Sequence, residues 1–148
     1  MNITLLFYLP RTRFQRLICF LGRMRFIHVI VAYPLGYTDS TPRTGVRKKS
    51  SAPPSDDVVG VFLYIPQDVS SPNKWVDAWV DKEIGIKYGY WDCVQAFIRR
   101  WTGLRVGGNP GGLECAEYAA RFLYDNGGPR LAWDYGLTPD ELYEAVRL

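Results

Sequence analysis

The sequence predicts an α+β fold in a single domain that covers residues 1–148. Two observations lead to this prediction. Runs rich in β-branched and aromatic residues, typical of strands, lie mainly in the first half of the chain, and helical spacing of apolar residues dominates the second half. Hydrophobic residues make up 47% of the chain, which is enough to build a core.

The first predicted elements are a strand, a helix and a second strand. Residues 4–9 form an apolar strand that Pro10 closes. Thr12 caps a helix over residues 13–21, and its apolar positions recur with helical spacing, so they are expected to face the core. Those positions are Phe14, Leu17, Ile18 and Leu21. Residues 26–33 are almost continuously apolar, which is typical of a central strand buried on both faces.

The middle of the chain is more polar. Residues 37–55 hold three prolines and a basic patch, and we predict only a short strand there, over residues 45–48. A further strand is predicted over residues 57–65, closed by Pro66.

Four helices are predicted after residue 70. The first has a cap at Ser71 or Asn73 and stops at Gly85, and the second runs from Asp92 to about Trp101. The third follows a glycine-rich loop and covers residues 115–124, and the last starts at the capping box of Thr138 and Glu141. Helical spacing places four aromatic side chains in the core: Trp75, Trp79, Trp101 and Tyr118.

Composition excludes several classes of protein. The formal net charge is +3, so we expect no nucleic-acid partner, and no apolar run is long enough to span a membrane. Three cysteines are too few for a disulfide scaffold, so the thiols are expected to be reduced, and one histidine is too few for a His-rich metal site. No cofactor motif occurs. The arginines of residues 11–25 form a solvated face or meet an anionic partner such as nucleic acid, a cell-wall polymer or lipid head groups.

Cys115 is the first candidate for chemistry. It begins a predicted helix, where the partial positive charge favours a thiolate and free N–H groups could hold an oxyanion. Cys93 is the rival at another helix start, but the adjacent Asp92 opposes a thiolate there. Cys19 lies within a helix, and its simplest interpretation is a side chain that packs in the core. For Cys115 too, packing in the core is the alternative to a catalytic role.

His28 is the candidate base, because it is the one histidine of the chain. Burial in an apolar strand would keep the imidazole neutral, which suits a general base. A histidine in such a strand is also often a structural residue. Tyr88, Tyr90 and Trp91 lie in a predicted turn, where three aromatic residues could line a cleft.

These pieces together resemble a known family. A Phe-x-His-Val strand follows an arginine-rich helix, then come Ser-Thr-Pro-Arg-x-Gly-Val-Arg from Ser40 to Arg47, Gly-Ile-Lys-Tyr ending at Tyr88, and Cys-Ala-Glu from Cys115 to Glu117. Their order resembles the circularly permuted NlpC/P60 group of papain-like cysteine hydrolases, the YiiX-like branch, and most of all its short bacteriophage-encoded forms. Relatives carry serine where this chain has Ala116 and a small polar residue where it has Ile27.

The resemblance implies a central antiparallel sheet with the nucleophile helix packed on it. It assigns Cys115 as nucleophile and His28 as base, with Ser40 and Thr41 as candidates for the third residue. It also implies that Tyr88, Tyr90 and Glu117 line the cleft. The implied activity is that of a peptidase or amidase on peptidoglycan or another amide or ester substrate. The alternatives are a virion or tail component with a degenerate hydrolase fold, in contact with other phage proteins, and an acyltransferase acting on lipid.

Overall fold

The computed structural model describes residues 1–66, 70–104, 112–129, 131 and 136–147. Within these residues the chain forms an antiparallel sheet of five strands together with five helices, so the α+β class is confirmed. The strands are β1 (Asn2–Tyr8), β2 (His28–Tyr33), β3 (Gly36–Thr41), β4 (Gly45–Lys49) and β5 (Val58–Tyr64). The helices are α1 (Arg13–Leu21), α2 (Pro72–Glu83), α3 (Tyr90–Thr102), α4 (Cys115–Asp125) and α5 (Pro139–Val146).

The strands lie in the order β4-β3-β2-β1-β5. Strand β1 pairs Phe7 with Val29 on one side and with Val59 on the other. The hairpin of β2 and β3 pairs residues 31–33 with residues 36–38, and residues 37–41 of β3 pair with residues 45–49 of β4. Two short connections, from β2 to β3 and from β3 to β4, therefore bring these three strands side by side.

The core lies on one face of the sheet, beneath α4. Helix α4 packs on β2 and β3, and residues 115–120, 122 and 123 of this helix are buried. Tyr33 of β2 and Trp79 of α2 both contact the ring of Phe122 in α4. Alternation along β2 turns Val29 and Val31 towards this core and His28 and Ala32 towards the opposite face.

Strand β3 is not predicted from the sequence, because its residues are polar where a strand buried on both faces should be apolar. The structure provides partners for these side chains. Thr38 donates to the carbonyl of Arg47 at 2.8 Å, and its Oγ1 lies 2.7 Å from the hydroxyl of Tyr118 in α4. Thr38, Asp39 and Ser40 are consequently almost fully buried.

The helix cap predicted at Thr12 and the capping box predicted at Thr138 are both present, and Thr12 also forms a capping box. Thr12 accepts the N–H of Gln15 at 3.1 Å at the start of α1, and Thr138 accepts the N–H of Glu141 at 3.3 Å at the start of α5. The end of α1 at Gly22 is also confirmed. These signals involve neighbours in sequence, so tertiary packing does not override them.

The predicted burial of several apolar residues is wrong. Phe14, Leu17 and Leu21 of α1 are exposed, and of this helix only Cys19 is buried. Trp75 and Trp101 are exposed as well, whereas Tyr118 is buried. Helical spacing shows that a helix has an apolar face but does not show that another element covers it. None of the described helices is long and apolar enough to cross a membrane.

Candidate active site

His28 begins β2 and hydrogen-bonds a carboxylate on the neighbouring strand. Its Nε2 lies 2.9 Å from Oδ2 of Asp39 in β3. Arg47, which pairs directly with Asp39 across the β3–β4 ladder, donates from Nε to Oδ1 at 2.7 Å. Three adjacent strands thus hold one His–Asp–Arg cluster, with the His28 side chain 23% exposed and the carboxylate fully buried.

The charge state of Asp39 follows from its two partners. Burial alone would raise the pKa of this carboxyl, but the hydrogen bonds from His28 and Arg47 outweigh burial and hold the pKa below its usual value. An ionised Asp39 accepts the Nε2–H of His28. In neutral imidazole this leaves the lone pair on Nδ1, so the cluster selects a tautomer in which Nδ1 is the base.

Cys115 begins α4, as predicted, and Glu114 caps the helix. The Glu114 carboxylate accepts the N–H of Glu117 at 2.7 Å and also hydrogen-bonds the N–H of Ala116. Two of the helix-start donors that the sequence predicted for an oxyanion are therefore bonded to Glu114. The thiol of Cys115 itself donates to Oε2 of Glu114 over 3.5 Å.

The Cys115 sulfur lies against the peptide that follows His28. It accepts a hydrogen bond from the backbone N–H of Val29. This N–H is available because the β2–β3 ladder stops at the pair of Val31 and Thr38. Cys115 thus lies where the two strands separate. Its sulfur contacts Val29, the residue that follows His28 in the sequence.

The His28 ring and the Cys115 sulfur approach this end of the sheet from opposite faces. Val29 shares the core with Cys115, so His28 before it points away from α4, towards Tyr8 and Asp39. The contacts among the described residues include none between the sulfur and the ring. Proton transfer between them therefore requires a movement of one or both side chains.

The thiol is buried and protonated. Cys115 is 2% exposed. Burial, followed by the charge of Glu114, raises the pKa of the Cys115 thiol well above its ordinary value, and the N–H of Val29 offsets this only in part. The sequence predicted a thiol acidified by the helix N-terminus. That prediction is wrong for this conformation, because burial disfavours the thiolate and Glu114 at the helix start disfavours it further.

Cys93 and Tyr88 are partly buried beside Cys115. The Cys93 Sγ lies 3.3 Å from the hydroxyl of Tyr88, and burial followed by the charge of Glu114 raises the Cys93 pKa to about 12. Burial also raises the pKa of Tyr88, and the neighbouring Cys115 is the next influence in the same direction. The three side chains at the head of α4 are therefore neutral groups packed close together.

Ser40 and Thr41, the predicted candidates for the third residue, bond elsewhere. Ser40 donates to the carbonyl of Leu113 at 2.6 Å, which ties β3 to the segment before α4. The hydroxyl of Thr41 lies 2.7 Å from that of Thr44 in the β3–β4 turn. The group on the imidazole is Asp39, one residue before Ser40. Strand β3 was not predicted from the sequence. With β3 as a strand, residues 28 and 39 lie on the same face of the sheet, and Asp39 becomes a candidate partner for the imidazole.

Two of the predicted cleft residues have structural contacts. Tyr90 is exposed and donates to the carbonyl of Pro42 at 2.6 Å. Glu117 is buried, and its Oε1 accepts the N–H of Gly136 at 2.5 Å. Burial raises the pKa of Glu117 to about 7. The described residues contain no group of three side chains that could hold a metal ion.

The chain matches no family model, no curated protein and no solved structure. The papain-like fold is therefore an expectation that depends on the motif resemblance.

Proposed function

We propose that this protein is a cysteine hydrolase that cleaves an amide bond, with Cys115 as nucleophile, His28 as general base and Asp39 as the residue that orients the imidazole. The observation that carries the proposal is the hydrogen bond between His28 and Asp39, together with a cysteine at a helix start whose sulfur touches the next peptide of the same strand. A nucleophile, a base and an orienting carboxylate are the parts that this chemistry needs.

The reaction proceeds in two halves. Nδ1 of His28 takes the thiol proton, and the thiolate sulfur bonds to the carbonyl carbon of the substrate. When the carbon–nitrogen bond breaks, the imidazolium gives its proton to the leaving amine. Water, deprotonated by the same imidazole, then releases the acid and restores the thiol.

Asp39 supports this cycle in two ways. Its carboxylate fixes the Nε2–H tautomer, and its charge stabilises the imidazolium formed in each half of the reaction. Arg47 keeps the carboxylate ionised and in place from the far side, at 2.7 Å.

The closed state of the site sets a condition for activity. Because Cys115 is 2% exposed and His28 lies on the other face of the sheet, activity requires a rearrangement that both exposes the sulfur to a substrate carbonyl and brings it to Nδ1 of His28. The substrate class comes from the resemblance, which favours the peptide of peptidoglycan over other amides and esters.

The test is hydrolysis of purified peptidoglycan by the full chain and by single variants. Cys115→Ala and His28→Ala should each lose activity by about a thousandfold or more, because the residues act as a unit. Cys93→Ala is the matched control, since it removes a neighbouring, partly buried thiol and should retain activity. Activity in Cys115→Ala or His28→Ala, or no release of amine groups by the unmodified chain, would refute the proposal.

A second candidate function is supported by the burial of the thiol. A neutral, covered Cys115 with a raised pKa is what a virion or tail component with a degenerate hydrolase fold would show. A thiol-reactive acyl probe separates the two. Selective labelling of Cys115 over Cys93 and Cys19 supports the enzyme, whereas uniform slow labelling supports the structural role.

A further inference from the structure

Helix α1 exposes its apolar face to solvent. Phe20 is 77% exposed, Phe14 70% and Leu17 51%, and Leu21 is also exposed. Trp101 at the end of α3 extends this surface, because its indole Nε1 donates to the carbonyl of Leu21. We call these five residues the α1 patch. Monomeric proteins seldom leave so many large apolar side chains together in water unless they bind something.

The segment that carries the patch is strongly cationic. Residues 11–25 contain five arginines and no aspartate or glutamate. Arg11 pairs with Asp56 and Asp57, but within the described ranges neither Arg13 nor Arg16 forms an ion pair. On the helix, Arg13 and Arg16 flank Leu17 and Phe20, so guanidinium groups alternate with apolar side chains around the exposed surface.

The patch also has an aromatic residue beside a cation. The guanidinium carbon of Arg23 lies 4.0 Å from the ring centre of Trp101. Tryptophan and arginine together favour the boundary between hydrocarbon and water, where the ring is buried and the charge stays hydrated.

We propose that the α1 patch binds the surface of an anionic lipid bilayer, with the axis of α1 in the membrane plane. Phe14, Leu17 and Phe20 enter the acyl boundary while Arg13 and Arg16 meet the lipid phosphates. A second copy of the chain fits less well, because a two-fold contact through α1 would bring like-charged arginines together. Nucleic acid would use the arginines but would leave the apolar side chains without a partner. This inference is independent of the proposed hydrolase activity.

The experiment is sedimentation of the full chain with phosphatidylcholine vesicles, with and without phosphatidylglycerol. We expect binding that requires phosphatidylglycerol. The double variant R13Q/R16Q should weaken the binding by about tenfold or more. L17S/F20S should weaken it by a similar factor, because two inserted side chains are lost. The matched control is F62S/Y64S on β5, where the side chains are 83% and 73% exposed and lie on another surface, and it should bind normally.

Each other outcome overturns the proposal. Equal binding by L17S/F20S, with heparin competing as well as lipid, indicates a polyanion partner. A dimer in sedimentation velocity that L17S/F20S dissociates indicates a second copy. No binding by the unmodified chain, or an equal loss in the β5 control, shows that the patch is not a lipid site. Circular dichroism of each variant checks that the fold is retained.

Discussion

His28 and Asp39 form a hydrogen bond across the β2–β3 hairpin, with Nε2 2.9 Å from Oδ2, and Arg47 binds the same carboxylate from β4. The carboxylate is fully buried, whereas the side chains of His28 and Arg47 are partly exposed. The ionised state of Asp39 therefore depends on these two donors. Any change that removes one of them affects both the stability of the sheet and the orientation of the imidazole.

Replacing Asp39 with asparagine should destabilise the protein by about 2 kcal/mol, because Arg47 and His28 lose a charged acceptor while remaining partly solvated. Urea unfolding measures the free energy directly. Asp56→Asn is the control, since its pair with Arg11 is exposed and is worth less than about 1 kcal/mol. Equal effects of the two substitutions would contradict a structural role for the buried carboxylate.

Asp39 also makes stability depend on acid pH. Its pKa in the folded chain lies below its unfolded value, so its contribution is present above the unfolded pKa of about 4 and is lost as pH falls through the folded pKa. We expect the free energy of unfolding to fall as the solution is acidified below about pH 4. Asp39→Asn should show a shallower fall over the same range. A variant with the same slope as the unmodified chain would show that other carboxyls cause it.

Glu117 should have the opposite pH dependence. Its folded pKa of about 7 lies above the ordinary value of 4.5, so the folded chain keeps a proton that the unfolded chain has lost. Stability should therefore fall as pH rises from about 4.5 to 7. Glu117→Gln keeps an acceptor for the N–H of Gly136 but carries no charge. Above pH 7 it should be more stable than the unmodified chain, by up to about 3 kcal/mol, with little difference near pH 4.

How much of the fold follows from the sequence depends on how local each signal is. The caps at Thr12 and Thr138 involve residues three apart, and both are correct. Strand β3 was missed because its polar residues are buried only by partners on other elements, such as Tyr118 for Thr38. The exposure of Phe14 was missed because apolar spacing does not specify whether a neighbouring element covers the face.

The same limit applies to the site. Cys115 and His28 are identifiable by residue type, and the helix and strand that carry them were predicted. Asp39 was not, because its contact with His28 depends on the register of an unpredicted hairpin. The raised pKa of Cys115 also depends on tertiary structure, because its largest cause is the burial of the thiol. The second cause is Glu114, and the sequence alone does not show that this residue caps α4 beside the thiol.

Ser40 and Asp39 can be separated by their effects on the pH profile of hydrolysis, if the proposed activity is measured. Ser40→Ala removes the hydrogen bond to the carbonyl of Leu113 at 2.6 Å, which should cost about 1 kcal/mol of stability and leave the pH profile unchanged. Asp39→Asn should instead lower kcat steeply, because an amide at this position no longer favours the tautomer with a basic Nδ1 or stabilises the imidazolium.

The Ser40–Asp39 comparison depends on each variant retaining its fold, which melting curves establish. A loss of kcat in Ser40→Ala with normal activity in Asp39→Asn would reverse the two assignments and make the hydroxyl the orienting group. A loss in both, with unchanged stability, would show that the segment joining β3 to α4 positions the nucleophile as much as the carboxylate positions the base. In that case the bond from Ser40 to Leu113 belongs to the catalytic arrangement, because it fixes the distance between β3 and the start of α4.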